Sequence, residues 1–549
     1  MSAISYGFSY FMIVWLEFTI IGNVILWLPL ILLSLEHLTE RFDLKWSIIF
    51  VFSIASSLLA GHPQVFAYLF IFSLAYGILK IVKEDKKNRF TIFNIIFLYL
   101  ISLGIGAIQI LPGIELIREA ARSPYLYQFF VDKVLIQSWH LIMAFVPDFF
   151  GNPATRNYWL PDPYVGKVTS IGLIPLLFVT YIFFKKRTTL INFFLVSSVI
   201  VLLLITANPI TLFLYKFNIP FVSSSAPNLS SFILIFSLSV LAGMGVDLFL
   251  KNKVSLRKTF YYLLPVISVF LILWAGIFVF KNYSSFEWVG NLSISTRNLI
   301  YSSVILAMAI IAFLLSAYLK RFTKIFLIIL ILLHIFELFR AFHKFNPFVP
   351  YQLIFPDAPI FTWLKENAGL DRFWGFGSGR IEANFATQYK LFSIDGLDPL
   401  YPRRYGEFIQ FSKEGRIVTK FTRETRSDAV VKQGNDISAF LKDKPRMKVL
   451  DSLAVKYFLF REDGSSDFQF PEERFREVYR DNGWIILENL KAYPRAFLNS
   501  NIKTFKTKEE FEPFFIKDER TILLERDLRI DSMADSGKTY VVSYSPGNM

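Results

Sequence analysis

Residues 259–280 read TFYYLLPVISVFLILWAGIFVF, with no charged side chain from end to end. As a helix rising 1.5 Å per residue this stretch is about 33 Å long, close to the ~30 Å of a bilayer's hydrocarbon core. Basic residues bracket it: Lys251, Lys253, Arg257 and Lys258 before, Lys281 after. The same pattern of apolar run and short polar loop fills the first 344 residues. It predicts about eleven spans, near 4–17, 20–37, 45–61, 63–82, 90–111, 167–184, 190–206, 229–250, 259–280, 298–319 and 323–342. The first of these lacks a basic n-region, so it does not read as a cleavable signal peptide.

Composition agrees. Of 549 residues, 54% are hydrophobic and only 19% charged, with 61 Phe and a mean hydropathy of +0.45. A soluble chain carries about 25% charge. An ordinary soluble enzyme and a disordered chain are therefore excluded. The net charge of +14 could suggest nucleic acid, but its location argues otherwise. Residues 345–549 hold 31 basic and 30 acidic side chains, so the excess belongs to residues 1–344, with 27 basic and 14 acidic. There it clusters at Arg41/Lys45, Lys80–Arg89, Lys185–Arg187, Lys251–Lys258 and Lys320–Lys324, after every second span. That alternation follows the positive-inside rule. It predicts Met1 inside and the C-terminal region outside the membrane, with no nucleic-acid partner. The chain has no Cys, which excludes disulfides and thiolate chemistry.

From about residue 345 the composition changes. Asn346-Pro347-Phe348-Val349-Pro350 reads as an extended linker, followed by a soluble α/β domain over 345–549. Strands are expected at Arg372–Gly377, Leu453–Phe460, Trp484–Glu488, Ala496–Leu498, Thr521–Leu524 and Thr539–Tyr544, and surface helix with loop over 413–448. The fold class is thus a polytopic helical membrane domain, 1–344 with a long external loop 112–166, followed by an extracytoplasmic α/β domain. An interfacial helix is expected within 113–146, and a short apolar helix at Ile210–Phe217.

No P-loop, dinucleotide fingerprint, HExxH or nucleophile elbow is present. Polar groups gather instead at the expected outer ends of the spans. His62 and Gln64 stand in Gly61-His62-Pro63-Gln64. Glu115 and Arg118 lie one helical turn apart. Asp148 sits in the aromatic turn Pro147-Asp148-Phe149-Phe150-Gly151-Asn152, and Tyr158 and Trp159 follow. Carboxylates, an imidazole, an amide and aromatic faces at lipid depth suit an amphiphilic substrate with a polar head and a lipid tail. Each has a plainer role too: His62 as a helix cap, Glu115 and Arg118 as an exposed pair, Asp148 as a turn residue, the aromatics as belt anchors. His334, Glu337 and Arg340 are expected to form a structural cluster. No metal-ligand spacing is evident, and a divalent cation is left open as a cofactor.

These segments resemble the YfhO-like bacterial membrane protein family, which is similar to GT-C-fold glycosyltransferases. The resemblance rests on Gly61-His62-Pro63-Gln64, Leu111-Pro112 with Glu115, and Pro147-Asp148-Phe149-Phe150-Gly151. It continues at Ile219-Pro220-Phe221, Leu241–Asp247, Asp395-Gly396-Leu397-Asp398-Pro399-Leu400, Val455-Lys456-Tyr457 and Pro494-Arg495-Ala496-Phe497. It implies a GT-C-like transferase that moves a sugar from a polyprenyl-phosphate carrier in the membrane lipid to a cell-envelope polymer acceptor. Asp148 and Glu115 would be the catalytic candidates, with His62, Gln64, Arg118, Trp159 and Tyr158 binding substrate. The chain departs from the family in three ways. The resemblance implies further spans and an acidic external loop before Ser5-Tyr6-Gly7, so the main catalytic carboxylate is expected upstream of Met1. Ser223-Ser224-Ser225-Ala226-Pro227-Asn228 stands where Arg residues are expected. Relatives continue past Gly547. Both ends therefore read as fragment boundaries, and the competing expectation is a non-catalytic assembly or lipid-carrier-binding protein. A transporter fits less well, because ionisable residues are scarce mid-span.

Overall fold

The computed structural model describes residues 1–83, 89–122, 125–185, 187–217, 226–251, 256–283, 286–418, 428–434, 436–462, 470–517 and 520–525. The expected strand Thr539–Tyr544, the motif Ile219-Pro220-Phe221 and the run Ser223-Ser224-Ser225 lie outside them. The chain forms two compact units: residues 1–112 with 124–348, and residues 113–123 with 349–549.

The first unit is helical. Among the described residues six helices are long and apolar enough to cross a membrane: Ile20–Glu40, Pro63–Lys83, Pro227–Lys251, Leu256–Asn282, Val289–Tyr318 and Lys320–Phe345. Arg89–Ile105 and Ala107–Glu119 would make a seventh span, but they meet at a 64° bend. The break falls at Gly106, where a Cβ would lie 2.0 Å from the Leu58 side chain. The expected eleven spans are therefore not all full-length helices. The 4–17 stretch is two short helices, Ser2–Gly7 and Tyr10–Trp15, separated where the Ser9 hydroxyl accepts the Met12 amide. Three other segments form helices of 16, 11 and 17 residues: Leu44–Leu59, Leu173–Phe183 and Thr189–Ile205. At 1.5 Å per residue the shortest is about 16 Å long. Ile, Leu, Phe and Tyr fill the shared core, while rows such as Leu271, Ile272, Phe278 and Phe280 stay exposed. Apolar side chains facing outward around a bundle are what a lipid-facing surface presents.

The segment expected to carry an interfacial helix, 113–146, is broken. It holds the end of Ala107–Glu119, a turn at Tyr127–Phe129, a π-turn at Phe130–Val134 and a 3-10 helix at Ser138–Ala144. The short apolar helix expected at Ile210–Phe217 is present as Pro209–Lys216.

The second unit has nine strands among its described residues: β1 Arg372–Gly375, β2 Phe392–Ser393, β3 Gly396–Leu397, β4 Asp428–Ala429, β5 Val455–Arg461, β6 Phe475–Asp481, β7 Trp484–Asn489, β8 Ile502–Thr504 and β9 Ile522–Leu524. A mixed sheet runs β2-β1-β5-β7-β6, with β1 parallel to β2 and β5, and β7 antiparallel to β5 and β6. Side chains alternate between two cores, as a strand's two-residue period requires. Phe458, Phe460, Ile485 and Leu487 pack with Trp374, Phe440 and Leu450 on one face. Tyr457, Leu459 and Ile486 pack with Phe361 and Leu364 of helix Pro359–Asn367 on the other. Ala496–Leu498 is not a strand, and β2, β3, β4, β6 and β8 match no expected strand. Helix Lys444–Ser452, expected at the surface, buries Met447, Val449 and Leu450. Gly113–Ser123 belongs to this unit, where the Ala121 amide donates to the Tyr401 carbonyl at 2.9 Å.

Candidate functional site

The turn after Pro147 is the most heavily wired polar feature of the helical unit. Gly151 makes it possible, with φ +84°, because a Cβ there would sit 2.0 Å from the Asn157 carbonyl oxygen. The chain folds back so that the Trp159 amide donates to the Phe150 carbonyl (3.1 Å) and the Asn152 amide to Asn157 Oδ1 (2.9 Å). This aims Asp148 at two long helices. Its Oδ2 lies 2.6 Å from Lys344 Nζ. Its Oδ1 accepts from Asn152 Nδ2 (2.8 Å) and the Tyr164 hydroxyl (3.2 Å). Its main-chain carbonyl accepts from Asn298 Nδ2 (2.5 Å), and the next carbonyl, of Phe149, accepts from Ser295 Oγ (2.7 Å). Only 14% of the Asp148 side chain and 21% of Lys344's is exposed, so this ion pair is largely shielded from water. Removing one partner of a fully buried pair costs about 3–5 kcal/mol, and this pair lies toward that limit.

Aromatic rings wall the cluster. Tyr158 packs edge-on against Tyr164 (5.3 Å between centroids), and Trp159 against Phe150 (5.1 Å). Burial, with Asp162 nearby, raises the Tyr158 phenol well above its ordinary value. Arg340 stacks on the Tyr301 ring at 3.7 Å, one helical turn before Lys344. One turn earlier again, both Glu337 carboxylate oxygens accept the Leu173 amide, at 2.9 and 3.1 Å. His334 Nε2 is 3.0 Å from Ser5 Oγ, and Gly172, at φ +91°, leaves no room for a Cβ beside His334 and Glu337. This knot links three helical segments, so the structural role expected for His334 and Glu337 is what their contacts describe.

The other candidates divide. Gln64 is buried; its Nε2 donates to the Ala226 carbonyl (2.8 Å) and the Tyr68 hydroxyl (3.0 Å). His62 caps a helix, with Nδ1 accepting the Val65 amide at 3.4 Å. The two Gln64 partners stand outside the Asp148 cluster. Glu115 and Arg118 are exposed, belong to the other compact unit, and form no ion pair with each other among the described residues. Of the seven residues singled out from the sequence, then, Asp148, Tyr158 and Trp159 come together in one folded turn.

One group was not anticipated at all. His140, Asp162 and Lys167 are buried together: His140 Nε2 is 3.0 Å and Lys167 Nζ 3.5 Å from Asp162 Oδ2. Lys167 also donates to the carbonyls of Leu135 (2.5 Å) and Val134 (3.3 Å), and His140 Nδ1 accepts the Gln137 amide (3.0 Å). Burial pushes the Lys167 ammonium down to about 8, against the pull of Asp162. Burial alone would raise Asp162, but His140 and Lys167 outweigh it and hold the carboxyl below its usual range. The three residues staple the loop that carries Asp148. Their sequence spacings, 22 and 5, match no motif. Among the described residues no group of three or more His, Asp or Glu gathers as a metal ligand set.

No known protein family, curated protein or solved structure matches this chain. What the structure establishes is a mostly helical chain with, among the described residues, six or seven helices fit to span a membrane, compatible with a multi-pass membrane protein, followed by a sheet-containing region.

Proposed function

We propose that this protein acts at a bacterial plasma membrane as a glycosyltransferase-like enzyme, taking a sugar from a polyprenyl-phosphate carrier at the outer face and transferring it to a cell-envelope acceptor. The observation that carries this reading is the Asp148–Lys344 pair: a carboxylate and an ammonium 2.6 Å apart, walled by Tyr158, Tyr164 and Trp159. Sugar transfer needs both groups. The carrier phosphate draws the Lys344 ammonium to itself as a charge-assisted partner, which frees Asp148 Oδ2. The acceptor hydroxyl attacks the anomeric carbon, the bond from that carbon to the phosphate oxygen breaks, and Asp148 takes the acceptor's proton as polyprenyl phosphate leaves. The resemblance of Pro147-Asp148-Phe149-Phe150-Gly151 and Gly61-His62-Pro63-Gln64 to YfhO-like, GT-C-type proteins supports the same substrate class, with the soluble region extracytoplasmic.

A second reading, a non-catalytic protein that binds the lipid carrier, is favoured by one observation: all three carboxylate contacts of Asp148 are already taken by Lys344, Asn152 and Tyr164. Asp148→Asn separates the two. Membranes carrying the variant should lose transfer of a polyprenyl-linked sugar by at least about a hundredfold, the scale of a lost general base, while still binding polyprenyl phosphate. Transfer at the wild-type rate would remove Asp148 from the chemistry. Absence of transfer from the wild-type protein, with carrier binding retained, would leave the binding role.

A further inference from the structure

The sheet-bearing unit carries an open groove of about 580 Å³ between helix Pro359–Asn367 and the edge strand β6. Its walls follow from two periodicities. Thr362, Trp363 and Glu366 share one side of the helix, at i, i+1 and i+4. Tyr479 and Asp481 share one face of β6, at i and i+2. Asp357, just before the helix, closes one end. Trp363 and Tyr479 are half-buried, and the polar side chains around them are exposed.

The lining contains carboxylates and aromatic rings and no Lys or Arg. A phosphate-bearing or carboxylate-bearing ligand would face the carboxylates of Asp357, Glu366 and Asp481 there. Two details argue against a cation. The Trp363 and Tyr479 rings pack on each other, with centroids 5.8 Å apart and planes tilted by 44°, so they form two adjoining faces rather than a cage that could enclose an ammonium. Two of the three carboxylates also have a partner. Lys365 Nζ stands 3.9 Å from Asp357, and the Tyr479 hydroxyl donates to Asp481 Oδ2 at 3.3 Å. What remains is an aromatic face on Trp363, flanked by the tilted Tyr479 ring, beside carboxylate acceptors. A pyranose ring offers the complement: an apolar C–H face for the aromatic face and hydroxyl donors for the carboxylates, whose bonds to them are charge-assisted.

We propose that this groove binds an uncharged saccharide chain. The inference goes beyond sugar transfer by the Asp148 cluster, and the two are tested apart.

The test uses the full chain in lipid nanodiscs and a panel of neutral oligosaccharides (gluco-, galacto-, manno- and N-acetylglucosamine oligomers), with spermine as the cationic comparator. Saturation-transfer NMR reads contact with ring C–H protons, and calorimetry reads affinity. At least one neutral oligomer should show C–H contact. Trp363→Ala should weaken it roughly tenfold, the scale of one lost aromatic platform. Because Trp363 also packs on Tyr457, the exposed Glu366→Ala serves as the second variant; it should weaken binding several-fold with an unchanged melting temperature. Asp148→Asn should leave the affinity unchanged, so a failure of the transfer reading does not touch this one. Binding of spermine alone, no contact with any member of the panel, or saccharide affinity unmoved by both groove variants would overturn the proposal.

Discussion

Asp395→Asn should stabilise the sheet-bearing unit at neutral pH, although it removes a charge that makes a good hydrogen bond. Asp395 is 7% exposed, and its Oδ1 accepts the Val431 amide at 2.9 Å. Burial pushes its carboxyl up from 3.8 to about 6, more than the Val431 bond and the charges of Arg380 and Lys413 pull it down. Such a displacement is worth about 3 kcal/mol, at 1.36 kcal/mol per pH unit. The sign follows from proton counts. Below about pH 3.8 both folded and unfolded chains hold the proton. Between about 3.8 and 6 the unfolded chain has released it and the folded chain has not, so stability falls as pH rises and levels off above about 6. Asparagine keeps an oxygen for Val431 and never ionises. The folded value already contains the charge assistance of that bond, so the net gain is about 3 kcal/mol at pH 7.5, and the difference stays within about 1 kcal/mol at pH 4. The assay is amide hydrogen exchange at Val431, corrected for intrinsic rates, at pH 4 and 7.5. Wild-type protection should fall by about 2.4 kcal/mol between the two, and the variant's should stay flat. A flat wild-type profile, or a variant less protected than wild type at pH 7.5, would refute the reasoning.

Two further outcomes concern the helical unit and its orientation. Gly151→Ala forces a Cβ into the Asn157 carbonyl at a positive φ and should lower stability by about 2 kcal/mol or more, whereas Gly290→Ala, with open space around it, should be near neutral; a thermal-shift comparison of the two decides it. The native chain has no Cys, so single cysteines report topology cleanly: one at Ser500 should react with an impermeant thiol reagent in intact cells and one at Lys86 should not. The reverse pattern would invert the orientation.

Hydropathy located the apolar segments well and their lengths poorly. A window of apolar residues marks a segment that avoids water, but it cannot tell a full span from the 11-residue helix Leu173–Phe183, which ends where the chain turns. Strand β7 was legible because Trp484–Glu488 is a compact apolar run. Strand β6 was hidden by Arg476, Glu477, Arg480 and Asp481, the charges that keep an edge strand from pairing further. The missed signal was Asn482-Gly483, both at positive φ between paired Asp481 and Trp484: a two-residue hairpin turn flanked by strands. At the candidate site, local aromatic turns drew attention to Asp148, Tyr158 and Trp159. Lys344 stayed invisible because the pair closes across 196 positions of sequence. His140, Asp162 and Lys167 stayed invisible for a like reason: each looks like an ordinary loop residue until burial makes them mutually dependent.

The bond from the Leu173 amide to Glu337 also carries a consequence for how the protein is made. A helix's first amides need partners from outside the helix, and this one finds its partner 164 residues further along the chain. At roughly 5–20 residues per second of synthesis, the acceptor emerges about 8–30 s after the donor. Over that interval the helix Leu173–Phe183 has an unsatisfied end and too little length to cross a bilayer alone. The partner arrives with the helix Thr323–Phe345, so this amide can be latched only after that late segment has been made. Chains that stop before residue 337 should leave the ribosome with the middle of the bundle unlatched, and be the ones that quality-control proteases remove first.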